Sequence, residues 1–338
     1  MAITYNSVDF RGVAAEPIIE ELLFENDTIN QGLVTFEEDV KAETIFTEAS
    51  ATATLQQYTS GAPTSAGSLS AFDVVVTPTK VQFYQEFDPN NLRFSRFKRS
   101  IKPGAWEILS DEFERIVIGG LYAKKVSLAL ENEFWYGVTS ATKTAVAALT
   151  AGTANTAVGA AEKTLVAALT ASQIDGVVAK MIYNDDNASA TAGVGGRIKV
   201  AGTAITAANI KAEYDKIYAA IPAEVLAGQE APFIYAPRSH KQMIVQANNV
   251  TTDYTKPFVK VGESWYFNDI EIKFVPLPEK VVIAALKSHL FWCTDLLSDV
   301  NTMQIDKIAN NREDMFLKNN MTLAAHVANQ KFNVLYVG

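Results

Sequence analysis

A chain of 338 residues with 48% hydrophobic and 20% charged residues has enough apolar material for a sizeable core and about two domains, which excludes a disordered chain. Its formal charge of −9 excludes a protein that binds nucleic acid through its surface as a whole, because such binding rests on positive charge displacing counterions. A single cysteine, Cys293, excludes an intrachain disulfide and with it a secreted disulfide scaffold.

The start, Met1-Ala-Ile-Thr-Tyr-Asn, has neither a basic n-region nor an apolar h-region, so no signal peptide is expected. No apolar run reaches the ~18 residues of a membrane helix. Synthesis in a reducing cytoplasm, without a membrane partner, is the expectation. Residues 1–40 mix a short apolar segment, Pro17–Phe24, with Asn, Asp, Thr and Gly, and are read as an N-terminal arm.

Two segments of β tendency follow, Thr44–Tyr58 and Phe72–Phe87, around the turn-forming spacer Thr59–Ser68. Val74, Val76, Val81 and Phe83 alternate on either side of Pro78, a residue that belongs at an edge or bulge. Residues 41–92 therefore read as a long exposed β-hairpin. Residues 110–136 read as the main helix: Asp111 and Glu114 have capping-box spacing, and Phe113, Val117, Leu121, Leu128 and Trp135 recur at helical offsets. Lys143–Ala151 is then repeated almost unchanged as Lys163–Ala171. Its Ala, Thr and Gly content predicts an exposed, dispensable insertion rather than a solenoid.

Residues 172–300 alternate helix and strand. Ser172 is placed to cap a helix carrying Ile174, Val178 and Met181, and Thr206 one carrying Ile210, Tyr214, Ile217 and Ile221 before Pro222. Phe233–Ala236 is a short buried strand, with Pro237 opening a helix that holds Met243 and Ile244. Trp265–Val275 is a hairpin turning at Asn268-Asp269, with Ile270, Ile272 and Phe274 alternating against Glu271 and Lys273. Val281–Leu286, Leu290–Asp295 and the tail Met303–Val337 supply further strands.

Catalytic chemistry finds few candidates. His240, His289 and His326 stand apart from any metal spacing, Cys293 reads as a small buried hydrophobe, and Gly193–Arg197 matches no phosphate loop. Asn184–Asn187 lacks the spacing of a calcium loop and reads as a solvated turn. No catalytic residue, metal or cofactor is expected, and the chain is read as not an enzyme. One charge run stands out: Arg93, Arg96, Lys98, Arg99 and Lys102, interleaved with Phe94 and Phe97. It suits a nucleic-acid patch, a solvated strand, or a subunit contact with the acidic stretches Glu16–Asp27 or Glu37, Glu38 and Asp39. At a net charge of −9 the subunit contact is preferred, because charge complementarity sets register between partners.

The order of these parts resembles the major capsid proteins of tailed bacteriophages. The closest local likeness is Gly262–Pro278, an aromatic, turn, strand and Val-Pro sequence, joined by Leu290–Leu296 and the Arg312-Glu313 pair. The resemblance implies an α+β Hong Kong 97-like capsid fold. Its parts would be an N-terminal arm (1–40), an extended β-hairpin loop (41–92) and a peripheral domain with a long spine helix and a local insertion (93–171). An axial α/β domain (172–300) and C-terminal strands returning to the core (301–338) would complete it. It implies a subunit that self-assembles as pentamers and hexamers into an icosahedral shell around double-stranded DNA. Portal and scaffolding or decoration proteins would be further partners, the host cytoplasm the place of synthesis, and the virion the destination. A shell subunit of an encapsulin-like nanocompartment is the alternative, ahead of a phage fibre or surface binding module.

Overall fold

A computed structural model describes residues 27–58, 60–62, 64–87, 122, 124–183, 196–250, 256–295, 303–308 and 314–338. The basic run from Arg93 to Lys102, the first half of the expected main helix and the Asn184–Asn187 turn lie outside the described residues.

Two sheets share one core. The larger has the order β5-β14-β10-β6-β9-β8-β7, with β5 Ile198–Ala201, β6 Phe233–Pro237, β7 Phe258–Val261, β8 Ser264–Phe267, β9 Ile270–Val275, β10 Val281–Ala285 and β14 Val334–Val337. Strand alternation gives this sheet two apolar faces. Tyr235, Ile283 and Leu335 point to one core; Ile234, Val282, Ala284 and Tyr336 point to the other. Two helices that each begin in this second core, α6 (Ile210–Ala220) and α8 (His240–Val250), cover that face, α6 through Ile210, Tyr214 and Ile217 and α8 through Ile244. α7 (Ala223–Leu226) joins α6 to β6. The α6 stripe is the one the sequence predicts, but the helix begins after Asn209, whose side chain accepts from the Thr206 amide and hydroxyl rather than capping the first turn. The β8–β9 hairpin turns at Asn268 and Asp269, with φ of 45° and 68°, the left-handed pair that a two-residue turn requires.

The second sheet is built on one long strand, β13 (Met315–Val327). β4 (Thr79–Phe87) pairs along one of its edges; β11 (Leu290–Thr294) and β12 (Met303–Lys307) pair with successive stretches of it, and β1 (Thr35–Glu37) runs parallel to β11. Its inward residues Leu317, Met321, Leu323 and Ala325 join the first core together with α2 (Lys124–Tyr136) and α5 (Val177–Ile182). On α2 the buried residues come in pairs four apart, Val126-Ser127, Leu130-Glu131 and Phe134-Trp135. Leu128, expected in the apolar stripe, is 39% exposed because it falls just past that arc. Gly137 and Gly176 let α2 and α5 meet: a Cβ on Gly176 would come within 2.5 Å of the Glu133 and Phe134 carbonyls. This approach moves the start of α5 to Val177, so Ser172 bonds the Val138 amide instead of capping the helix.

Three expectations are corrected. Residues 27–40 are no free arm. Thr28, in α1 (Asp27–Asn30), donates its amide and hydroxyl to Glu131 and accepts from the Trp135 indole N–H at 2.8 Å. Leu33, Val34 and Val40 are buried, and Tyr235 donates to the Leu33 carbonyl. Second, the stretch Phe72–Phe87 is not one hairpin arm. It breaks at Pro78 into β3 (Gly67–Val76), which pairs with β2 (Thr44–Ala53), and β4, which leaves for β13. A residue without an amide hydrogen is where a chain can change sheets at least cost.

Third, the duplicated segment is part of the core. It forms two helices, α3 (Ser140–Ala148) and α4 (Ala160–Ala168), that clasp each other reciprocally. Lys143 donates to the Ala167 and Leu169 carbonyls, and Lys163 to those of Ala147 and Leu149, so the repeated lysine caps the C-terminus of the opposite copy. Val146, Val158, Leu165 and Val166 sit in the first core. Glu162 caps its own helix through the Gly159 amide and pairs with Arg197, a fully buried guanidinium that also donates to the Asn155 and Ala157 carbonyls.

Candidate assembly surfaces

The β2–β3 hairpin is the part of the chain least explained by its own fold. Its root is packed: Val74 and Val76 are buried, and with Val40 and Phe46 the root covers Phe291, Cys293 and Ala324 on the outer face of the second sheet. From Ala49 outwards along β2 and back to Asp73 on β3, every described side chain is exposed except the half-buried Ala66. Cross-strand contacts hold the ladder: Thr47 donates to Asp73 at 2.8 Å, Thr52 and Ser68 share a bond at 2.7 Å, and Gln56 donates to the Thr64 carbonyl. Gly67 is required there, because a Cβ would lie 2.5 Å from the Thr52 carbonyl oxygen.

A two-stranded ribbon with no covered face is marginal alone in water. This one also displays large apolar side chains, Ile45 at 62% exposure, Leu55 at 102%, Tyr58 at 90% and Leu69 at 82%. Among the described residues, β2 and β3 each leave one edge unpaired, as does β4 along the side facing away from β13. Exposed edges and apolar tips on a projecting element are the signature of a surface completed by a partner. The sequence reading found the hairpin through its spacer but missed these four apolar positions; isolated among Thr, Ser and Ala, they show no periodicity.

Of the proposed contact residues, Glu37, Glu38 and Asp39 are placed at the end of β1 and in the turn after it, all exposed. Asp39 already pairs with Lys41 at 3.0 Å. Their expected partners, Arg93, Arg96, Lys98 and Arg99, lie outside the described residues.

The titratable groups are mostly engaged in structure. His240 bonds the Tyr214 hydroxyl at 3.1 Å and the Glu279 carbonyl at 3.0 Å, and burial holds it below its ordinary value. His289 bonds the Asn333 side chain at 2.9 Å. Burial, reinforced by the Glu37 carboxylate, pushes the Cys293 thiol up to about 12, so it stays protonated. Among the described residues no group of three or more His, Cys, Asp or Glu side chains is arranged for a metal ion. A surface groove of about 620 Å³ is lined by Lys80, Gln82, Asp295, Gln304, Lys318, Asn320 and Thr322. No helix of the described residues is long and apolar enough to cross a membrane.

Two sheets sharing a core, a ribbon leaving one of them, and a helix against the other side define the class: an α+β fold with a projecting ribbon. Solved structures bear this out. The chain is similar over 100% of its length, and 96% of theirs, to the protein in the capsid of a native GTA particle (TM-score 0.53, 10% identity). It is similar to that of Mycobacterium phage Ogopogo over 98% of this chain and 94% of that one (TM-score 0.52, 10% identity). For the procapsid of satellite phage P4 with its size determination protein, the cover is 99% and 92% (TM-score 0.51, 11% identity). The chain thus has the Hong Kong 97-like capsid fold. No family model matches the sequence, nor does any curated protein.

Proposed function

We propose that this chain is a major capsid protein, the subunit of a closed icosahedral shell that encloses the double-stranded DNA of a tailed bacteriophage. The observation that carries the reading is the β2–β3 ribbon, bare on both faces beyond its root and studded with apolar side chains, on a fold shared with capsid subunits. In a ring of copies each ribbon lies on its neighbour, the contact is heterologous, and the ring closes at five or six subunits. In this assignment the long-stranded sheet with α2 is the peripheral domain and the seven-stranded sheet the axial domain. The acidic stretch Glu37–Asp39 meets the basic run of a neighbour. Portal, scaffolding or decoration proteins complete the particle, which forms in the host cytoplasm.

Purified protein, alone or with a scaffolding partner, is expected to form closed or sheet-like assemblies of five- and six-fold rings, read by light scattering and electron microscopy. A monomer under every condition would overturn the assignment. Reversing the charge of Arg93, Arg96, Lys98 and Arg99 together is expected to block assembly while circular dichroism is unchanged. One exposed pair contributes only ~0–1 kcal/mol, so the four are changed at once. Normal shells with less DNA would move the run from subunit contact to nucleic-acid contact.

A further inference from the structure

The ribbon is fastened to the body of the subunit over a buried histidine that has no hydrogen-bond partner among the described residues. His326 lies on β13, is 0% exposed, and neither ring nitrogen bonds any group among the described residues. Phe46 of β2 stacks on its ring at 4.9 Å, and Phe291 of β11 flanks it at 5.9 Å. Glu48, two residues beyond Phe46 on the same face of β2, brings Oε1 to 3.8 Å from Nε2. We propose that the packing of His326 under Phe46 and Phe291 is an acid-sensitive latch that fixes the ribbon root while His326 is neutral and releases it on protonation, with Glu48 at its edge moderating the release.

The geometry sets the direction. A neutral imidazole clustered with two phenyl rings behaves as an aromatic core residue, whereas an imidazolium there loses its hydration and has one carboxylate oxygen, beyond hydrogen-bond distance, in return. The charged groups facing it come from three elements. Glu48 faces it from β2. Lys180 on α5 repels a positive ring. Glu48 is in turn engaged by the turn after β13, through a backbone hydrogen bond from Asn329 and the attraction of Lys331. β11 brings Phe291 to the ring. Asp73, on β3, is bonded to Thr47 on the opposite face of the ribbon, and Asp175, which lines a cavity with Lys180, is held by Thr139 and Thr142.

Burial, with Lys180 adding to it, lowers His326 from 6.5 to about 4. A group depressed in the docked state favours docking fully above its free value and loses that contribution as the pH falls towards the docked value. The window is therefore from about 6.5 down to about 4. Glu48 acts in the opposite sense: burial raises its carboxyl, so the docked root takes up a proton there more readily than the free one. Glu48 thus restrains the latch, and removing its charge enlarges the response.

The latch belongs to the subunit and holds whether or not shells form. Its test is hydrogen exchange of the unassembled chain at pH 7.5 and 5.5, corrected for the intrinsic pH dependence and read on amides of residues 44–48 and 74–76. The His326 contribution predicts roughly tenfold more opening of these amides at pH 5.5. Glu48→Gln is expected to exceed the wild-type ratio. His326→Phe, or His326→Leu if the phenylalanine chain fails to fold, is expected to open no more at pH 5.5 than at pH 7.5. Equal protection of the wild type at both, or a histidine-free variant that still opens tenfold, overturns the latch.

Discussion

Replacing Glu162 with alanine is expected to lower the unfolding free energy by about 3–5 kcal/mol, the cost of leaving a buried charge without its partner. The partner, Arg197, is fully buried, and the Asn155 and Ala157 carbonyls that also accept from it carry no formal charge. The same substitution removes the bond from the Gly159 amide that starts α4, worth about 1 kcal/mol by itself. Denaturant melts measure the loss. A double variant, Glu162→Leu with Arg197→Met, is expected to recover most of it, because apolar residues of similar volume tolerate the same burial. A loss below about 1 kcal/mol in the single variant would place the duplicated segment outside the core. On the same argument, deleting one copy of the repeat is expected to give insoluble protein, since it strips Leu165 and Val166 from the core and leaves a lysine of the clasp without its carbonyls.

The repeat shows where sequence reading stops. Alanine and threonine are compatible with a surface or a helix interface, so composition alone pointed outward. The decisive contact joins Glu162 to Arg197, 35 residues apart, and no local pattern announces it. Thr28 with Trp135, 107 apart, escapes for the same reason, which is how residues 27–40 read as an arm. Elements whose physics is local were legible. The β8–β9 hairpin is written in its alternation and its Asn-Asp turn, and α6 in its four-residue apolar spacing. Pro78 carried the right information, a break in the ladder, but whether the chain bulges or changes sheets depends on β13, more than 230 residues later. Among candidate site residues, the Thr59–Ser68 spacer pointed to the hairpin, while the latch under its root needed Phe46, Phe291 and His326 to be brought together by two sheets.

Substituting serine for Leu55, Tyr58 and Leu69 together is expected to leave the subunit folded and raise the concentration needed for assembly on the order of 100-fold. These side chains are 102%, 90% and 82% exposed, so within the subunit they bury almost nothing, and surface changes of this kind stay within about 0.5 kcal/mol. Between subunits the balance differs. Covering such a side chain contributes ~1.5–3 kcal/mol, partly offset by ordering the ribbon that carries it. A net loss of about 3 kcal/mol per ribbon corresponds to a 100-fold weaker contact. Thermal melts and circular dichroism establish that the variant is folded, and light scattering over a concentration series locates its assembly threshold. The ribbon ladder itself is spared, because Thr52, Ser68 and Gly67 are untouched. A variant that assembles at the wild-type concentration would mean that the apolar tip meets solvent in the shell and that the contact rests on strand edges or charge. A variant that melts several degrees lower would mean that the tip packs on its own subunit, contrary to the exposures that motivate the substitution.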